Sequence, residues 1–308
     1  MAKKEQSEQE LWAKVSSGEG DEKAQALMAL GHKAFHKGDH KEALAMSETA
    51  REVYESMGAT ASSAALGHVY QSIGWSLKAL KRYEEAAGAA HKAAELYKEI
   101  GDKDLFYALN EEGDYWYSAK NWQKSYEVHS AALAEINPDL NEETLAVTYG
   151  HCAFALGRLD RWAEALEHFL QSRALFKKLK NPWQVAFADE EISLCYSKLG
   201  NGVEALVYAQ RAMDFAVVTQ HQYRLIWSNA RMGLAKKLLG EYEEALEHIA
   251  TAKDMMLGTG EPYWSSIVRM DKIAAGIQRE RGLVEEADEI LRRLKVIEET
   301  LDGDDEVD

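Results

Sequence analysis

Apolar residues recur along this chain at intervals of three and four, the spacing that lines one face of a helix. The apolar-periodic segments are each long enough for about four helical turns. No two-residue alternation of the kind a half-buried strand requires persists anywhere. Short stretches, all but one carrying glycine, aspartate or asparagine, divide the segments: "KGDH", "LKRY", "KNW", "LDRW", "LGNG", "LGEY" and "RGLV". Turns this short oblige neighbouring helices to fold back antiparallel. The pattern therefore predicts an all-α chain of helix hairpins.

The hairpins repeat. "EALEH" opens at Glu164 and again at Glu244, and degraded copies open at Glu42, Glu85, Lys124, Glu204 and Glu286. Their small residues are Ala43, Ala86, Ser125, Ala165, Ala205, Ala245 and Ala287, at spacings of 43, 39, 40, 40, 40 and 42. Twelve residues before each anchor stands another small residue: Gly31, Gly74, Gly113, Ala153, Ser193, Gly233 and Ala275. Three before it, four repeats carry an aromatic: Tyr83, Trp122, Trp162 and Tyr242. Small residues suit a point where two helices cross closely, and the aromatic fills the space beside the turn. Pro138, Pro182 and Pro262 all fall between repeats, where a helix's first turn tolerates the missing amide.

These columns resemble the tetratricopeptide repeat over about 24–298. The unit here is about 40 residues where the usual one has 34, which is similar to the longer units of kinesin light chains, cell-polarity adaptors and peptide-pheromone receptors of Gram-positive bacteria. The resemblance implies a right-handed superhelical solenoid of about seven hairpins with a concave groove lined by each first helix. The expected organisation is a tail and short capping helix over 1–23, the solenoid over 24–300 and an acidic disordered tail over 301–308. Ser7 and Glu10 have capping-box spacing, and Leu11, Trp12 and Val15 are expected to face the first repeat.

Charge and composition narrow the function. A net charge of −16 repels a phosphate backbone, so nucleic acid is not an expected partner. Only two cysteines, Cys152 and Cys195, stand in the chain; they fall at core-type positions and point to a reducing, cytoplasmic setting. No apolar run is long enough to span a membrane, and no apolar segment follows the first lysines as a secretory signal would require.

Nothing in the sequence has the spacing of a catalytic device. There is no glycine-rich phosphate loop, GxSxG, HExxH or CxxC, and Glu190 and Glu191 read as a solvated acidic face. No enzyme and no cofactor are expected. His32 and His36 share a helix face at ligand-like spacing, with His40 across the turn, but no cysteine or evident carboxylate joins them, so no metal is expected.

The groove positions implied by the resemblance carry Phe35, Trp75, Tyr107, Tyr117, Phe154, Phe187 and Trp227, an aromatic from every repeat from the first to the sixth. Asn110 and Gln71 are candidates to bond a ligand's main chain. Acidic groove residues are Glu111, Asp114, Glu190 and Glu191. Basic ones are Arg158, Lys198, Arg231, Lys237, Arg269, Lys272 and Arg279. Of these, Arg231, Arg269 and Lys272 suggest a partner segment that is acidic or ends in a carboxylate. Repeats one to three place Met28, His32, Ser72, Tyr107 and Glu111 where some relatives hold a chaperone-tail clamp, so that clamp is missing.

The leading expectation is a non-enzymatic adaptor or scaffold whose groove holds a peptide or helix of a partner protein. The alternative is a stand-alone sensor of a small signalling peptide, with too few residues before the first repeat for a helix-turn-helix.

Overall fold

A computed structural model of the chain describes residues 7–135, 141–260 and 263–301. Every regular element among the described residues is helical. The expected acidic tail beyond Leu301, together with Pro138 and Pro262, lies outside them. The chain divides into two compact units, 1–159 and 160–308.

The first unit opens with α1 (Glu8–Ser17). Its start is the capping box expected from the sequence. Ser7 Oγ accepts from the Glu10 amide at 3.2 Å, and the Glu10 carboxylate accepts from the Ser7 amide at 2.9 Å. Leu11 is buried with Ala26 and Leu30, and Val15 packs beside them. Trp12, expected on the same face, is exposed instead.

Then come α2 (Gly20–His36) and α3 (His40–Met57), α4 (Ser63–Ala79) and α5 (Tyr83–Ile100), α6 (Leu105–Ser118) and α7 (Trp122–Ala134), and α8 (Glu142–Arg158). The second unit holds α9 (Trp162–Lys178), α10 (Pro182–Lys198) and α11 (Gly202–Thr219), α12 (Gln222–Leu238) and α13 (Tyr242–Leu257), and α14 (Trp264–Glu280) and α15 (Val284–Leu301). In sequence these make seven first-and-second pairs. The fourth, α8 and α9, is divided by the boundary between the units.

The paired small residues meet as their spacing predicts. A Cβ on Gly31 would lie 3.3 Å from the Ala43 carbonyl oxygen, and one on Gly74 3.5 Å from that of Ala86. In the second unit, a Cβ on Gly233 would come within 3.1 Å of the Ala245 carbonyl oxygen and 2.7 Å of Ile249. Ser193 goes further: its hydroxyl donates to the Ala205 carbonyl at 2.8 Å. In these four repeats the first helix thus lies against the main chain of its second helix, twelve residues on.

The turns reach this crossing by one shared device. The residue five before each anchor has a positive φ in every repeat: Gly38 (85°), Lys81 (59°), Lys120 (59°), Asp160 (56°), Gly200 (78°), Gly240 (76°) and Gly282 (82°). A left-handed residue closes the first helix so that the chain can reverse at once. Asp39, Asn121 and Asn201 then cap the following helix, accepting from the amides of Glu42, Lys124 and Glu204.

Two stability effects are expected. Ala205 is fully buried at a crossing, so Ala205→Leu should cost about 1–3 kcal/mol through overpacking. A Cβ at Gly240 would meet nothing within 4 Å, so Gly240→Ala isolates backbone strain and should cost ~1 kcal/mol. Urea unfolding checks both; a wild-type midpoint in either variant removes that residue from its assigned role.

Candidate functional site

Within each unit the first helices lie side by side: α2 touches α4 and α6 touches α8, while α10 touches α12 and α12 touches α14. The faces they present carry the expected groove residues, but the two units use them differently.

In the first unit the face opens into a cleft of about 620 Å³, lined by Phe35, Trp75, Lys78, Tyr83, Glu111, Asp114, Tyr115 and Ser118, with Ala79. Trp75 is 38% exposed. Its indole is fixed, because Nε1 donates to Glu111 Oε1 at 2.7 Å. Gln71 Nε2 donates to the other Glu111 oxygen at 3.2 Å, and Gln71 Oε1 accepts from the Tyr97 hydroxyl at 2.8 Å. Burial pushes the Glu111 carboxyl up to about 7, with nearby Asp114 adding to the rise and the Trp75 and Gln71 bonds opposing it. The cleft therefore combines aromatic walls with a carboxyl that titrates near neutrality. Phe35 also borders a smaller hollow of about 170 Å³ with His32 and His36. His32 Nε2 there lies 3.2 Å from Ser72 Oγ.

Two other expected groove residues of this unit, Tyr117 and Asn110, are engaged inside the fold. Tyr117 packs edge-on against Trp122 at 4.8 Å, and its hydroxyl accepts from Arg158 Nε at 3.2 Å. Asn110 donates to the Phe106 carbonyl and accepts from Thr148, so its amide is not presented to a ligand. Tyr107 is exposed on α6 and Phe154 is half-buried on α8; neither lines the cleft.

The second unit closes its face with ion pairs. Glu190, read from the sequence as solvated, is 2% exposed. It accepts from Arg224 at 2.9 Å and from Ser228 at 3.4 Å. Burial pushes Glu190 up to about 7 against the pull of Arg224 and Arg231. Arg231, expected to meet a ligand, is 8% exposed. It donates to the Glu190 carbonyl and to Glu191 at 3.0 Å. Lys272 reaches Glu298 at 2.6 Å, Arg279 reaches Asp288 at 2.7 Å, and Lys237 reaches Glu280 at 3.0 Å. Arg269 is exposed on α14.

Arg158 and Lys198 sit over the turn aromatics Trp122 and Trp162, at 5.2 and 5.3 Å. The positive charge expected to attract an acidic ligand is thus largely taken up by the protein's own carboxylates and rings. Phe187 carries the Arg224 guanidinium at 5.3 Å, and Trp227 packs on the buried cluster of Ile226, Ile249 and Ile267. A separate cleft of about 420 Å³, bordered by Lys177, Pro182, Arg211 and Phe215, contains none of the expected residues.

Of the expected groove residues, the aromatics Phe35 and Trp75 and the carboxylates Glu111 and Asp114 are brought together in this open cleft. Tyr83, Lys78 and Ser118 were not expected there. Tyr83 belongs to the turn-aromatic column, which was the one sequence signal that could have placed it.

No family model matches the sequence, and no curated protein matches it. Solved structures do. RapI in its apo form matches with a TM-score of 0.65 at 12% identity, covering 91% of this chain and 99% of that one. A signal-transduction ATPase with a tetratricopeptide repeat sensor, from Pyrococcus horikoshii, matches at 0.66 and 14%, covering 96% of this chain and 45% of that one. A Rap protein complexed with Competence and Sporulation Factor matches at 0.53 and 15%, covering 95% and 80%. The chain has the tetratricopeptide-repeat fold. No helix among the described residues is long and apolar enough to cross a membrane.

A carboxyl raised in the folded state binds protons that the unfolded chain has already lost, so its contribution to stability falls as pH rises from about 4.5 to about 7. Glu111→Gln removes that titration. The melting temperature of the variant relative to wild type should therefore climb between pH 5 and pH 8, read by circular dichroism. A constant difference over that range would show an ordinary carboxyl.

Proposed function

We propose that the chain is a non-enzymatic protein-interaction module that holds a peptide, or a helix of a partner protein, on the first-helix face of its first unit. The observation that carries this reading is the cleft of about 620 Å³ around Trp75 and Phe35. Aromatic side chains supply large contact area at low entropic cost and dominate binding hot spots. The bond from Trp75 to Glu111 orients the indole before any ligand arrives, which lowers the cost of ordering it on binding. Lys78, Glu111 and Ser118 add polar groups that fix a ligand's register.

The second unit offers less to a ligand on its first-helix face. Its equivalent face is occupied by Arg224, Glu190 and Arg231, and buried ion pairs favour a fixed face over an adaptable one. An acidic partner segment is accordingly no part of the proposal.

A second reading is a sensor of a short free peptide. What favours it is the similarity in fold to a Rap protein complexed with Competence and Sporulation Factor. Affinity purification from the native source separates the two, by whether the captured ligand is a protein or a short peptide.

The cleft has a sharper test. Trp75→Ala should weaken capture by about 2 kcal/mol, near thirtyfold, while stability falls by less than the 3–5 kcal/mol of a typical core truncation. Trp227→Ala should show the reverse, losing stability with little direct effect on capture, because that ring packs on a buried cluster. Unchanged capture by Trp75→Ala, measured by surface plasmon resonance, would remove the cleft from the proposal.

A further inference from the structure

Three helices of the first unit bring together residues that are far apart in sequence: Asp114 on α6, His129 on α7 and His151 on α8. One ligand atom from each lies within 4.8 Å of the others, and among the described residues no other cluster of this kind forms. His129 Nε2 is 3.4 Å from Asp114 Oδ1, and His151 Nδ1 is 2.8 Å from the same oxygen. Neither nitrogen has a hydrogen-bond partner, although both are buried. Both nitrogens face the Asp114 carboxylate, so the three ligand atoms are drawn together around one small volume.

The tautomer of His129 follows from its neighbours. Asn110 Nδ2 donates to the Phe106 carbonyl at 2.8 Å, which turns Asn110 Oδ1 toward Thr148 and His129. That oxygen lies 3.3 Å from His129 Nδ1 and can only accept. Nδ1 therefore carries a proton, and in the neutral ring the lone pair is on Nε2, the nitrogen that faces the carboxylate. A histidine oriented by a hydrogen bond through its other nitrogen is the usual arrangement at a metal. The site is also built to receive this ring. A Cβ on Gly113 would stand 2.6 Å from it, so the glycine at the α6–α7 crossing makes the room that His129 fills.

We propose that Asp114, His129 Nε2 and His151 Nδ1 bind a divalent transition-metal ion of the zinc class. Two nitrogens and one carboxylate oxygen suit such ions, and three protein ligands leave a coordination position for water or an incoming group. Ligands at tetrahedral zinc stand roughly 3.3 Å apart, close to the His129–Asp114 separation. His151 would swing outward by about half an ångström, and its side chain, 34% exposed, has room for this. Bound there, the ion ties α6, α7 and α8 together. Asp114 also lines the cleft, so the ion would stand behind the cleft wall. The site does not depend on the peptide-binding proposal. It departs from the expectation of no metal, which was weighed on His32 and His36, four residues apart on one helix.

The test uses the full chain without a histidine tag, stripped with a chelator. Titration with Co2+ should reach one ion per chain with visible ligand-field absorption. Zn2+ should displace it and raise the melting temperature. His129 is too deeply packed to be the first variant. Asp114→Asn and His151→Ala should each weaken Co2+ by more than the ~100-fold that loss of an outer partner costs, with helical circular dichroism retained. His32→Ala with His36→Ala should leave binding intact. Failure of the wild-type chain to bind stoichiometrically overturns the proposal. So does undiminished affinity in both single variants, or loss of binding in the His32 and His36 double variant.

Discussion

The structure depends on letting two helices meet at main-chain distance. A side chain of ordinary size at the crossing would hold the helices apart, and the short turn between them could not span the gap. Gly31, Gly74, Gly233 and Ser193 each lie against the carbonyl of the anchor twelve residues later. The left-handed residue five before each anchor brings the chain round in time for that contact. Neither feature suffices alone. A tight turn without small residues would clash, and small residues without a tight turn would leave a cavity. A single hairpin buries too little to stand by itself, so the same crossing must recur for a continuous core to form.

A recurring crossing also returns corresponding positions of successive first helices to one face within a unit. That is why Trp75 on α4 can meet Glu111 on α6, and Glu190 on α10 can meet Arg224 on α12. The two faces spend this geometry differently. In the first unit one carboxyl serves two neutral donors, and an aromatic wall remains open to solvent. In the second, arginines neutralise buried carboxylates. Burying a charge is costly unless it is paired and hydrogen-bonded, and the network of Arg224, Ser228 and Arg231 supplies those partners. The same repeat thus yields an aromatic cleft on this face in one unit and buried ion pairs in the other.

The three-ligand cluster shows the crossing put to another use. Gly113 is one of the small residues that define the repeat, but the side chain it admits is an imidazole rather than an alkyl group. Ile249 occupies the corresponding space at Gly233. Asn110 and Thr148, from helices on either side, then hold that imidazole in one tautomer. A position that elsewhere serves packing here presents a lone pair.

The sequence by itself determined the helices, the turns, the crossings and the repeat number, because these follow from periodicity and from residue size, and each is written within about forty residues of chain. It also determined the capping box at Ser7 and Glu10. Which groove residues are available to a ligand was not legible. Arg231, Asn110 and Tyr117 occupy groove positions in the pattern, yet their polar atoms are satisfied by Glu190, Glu191, Phe106, Thr148 and Arg158, contributed in most cases by a neighbouring repeat. Trp12, by contrast, was expected to be covered and is not. Asp114, His129 and His151 carry no local motif at all, since each stands on a different helix. Pairing of charges and convergence of ligands are decided by which side chains face one another across a repeat boundary, and only the packed tertiary structure fixes those distances.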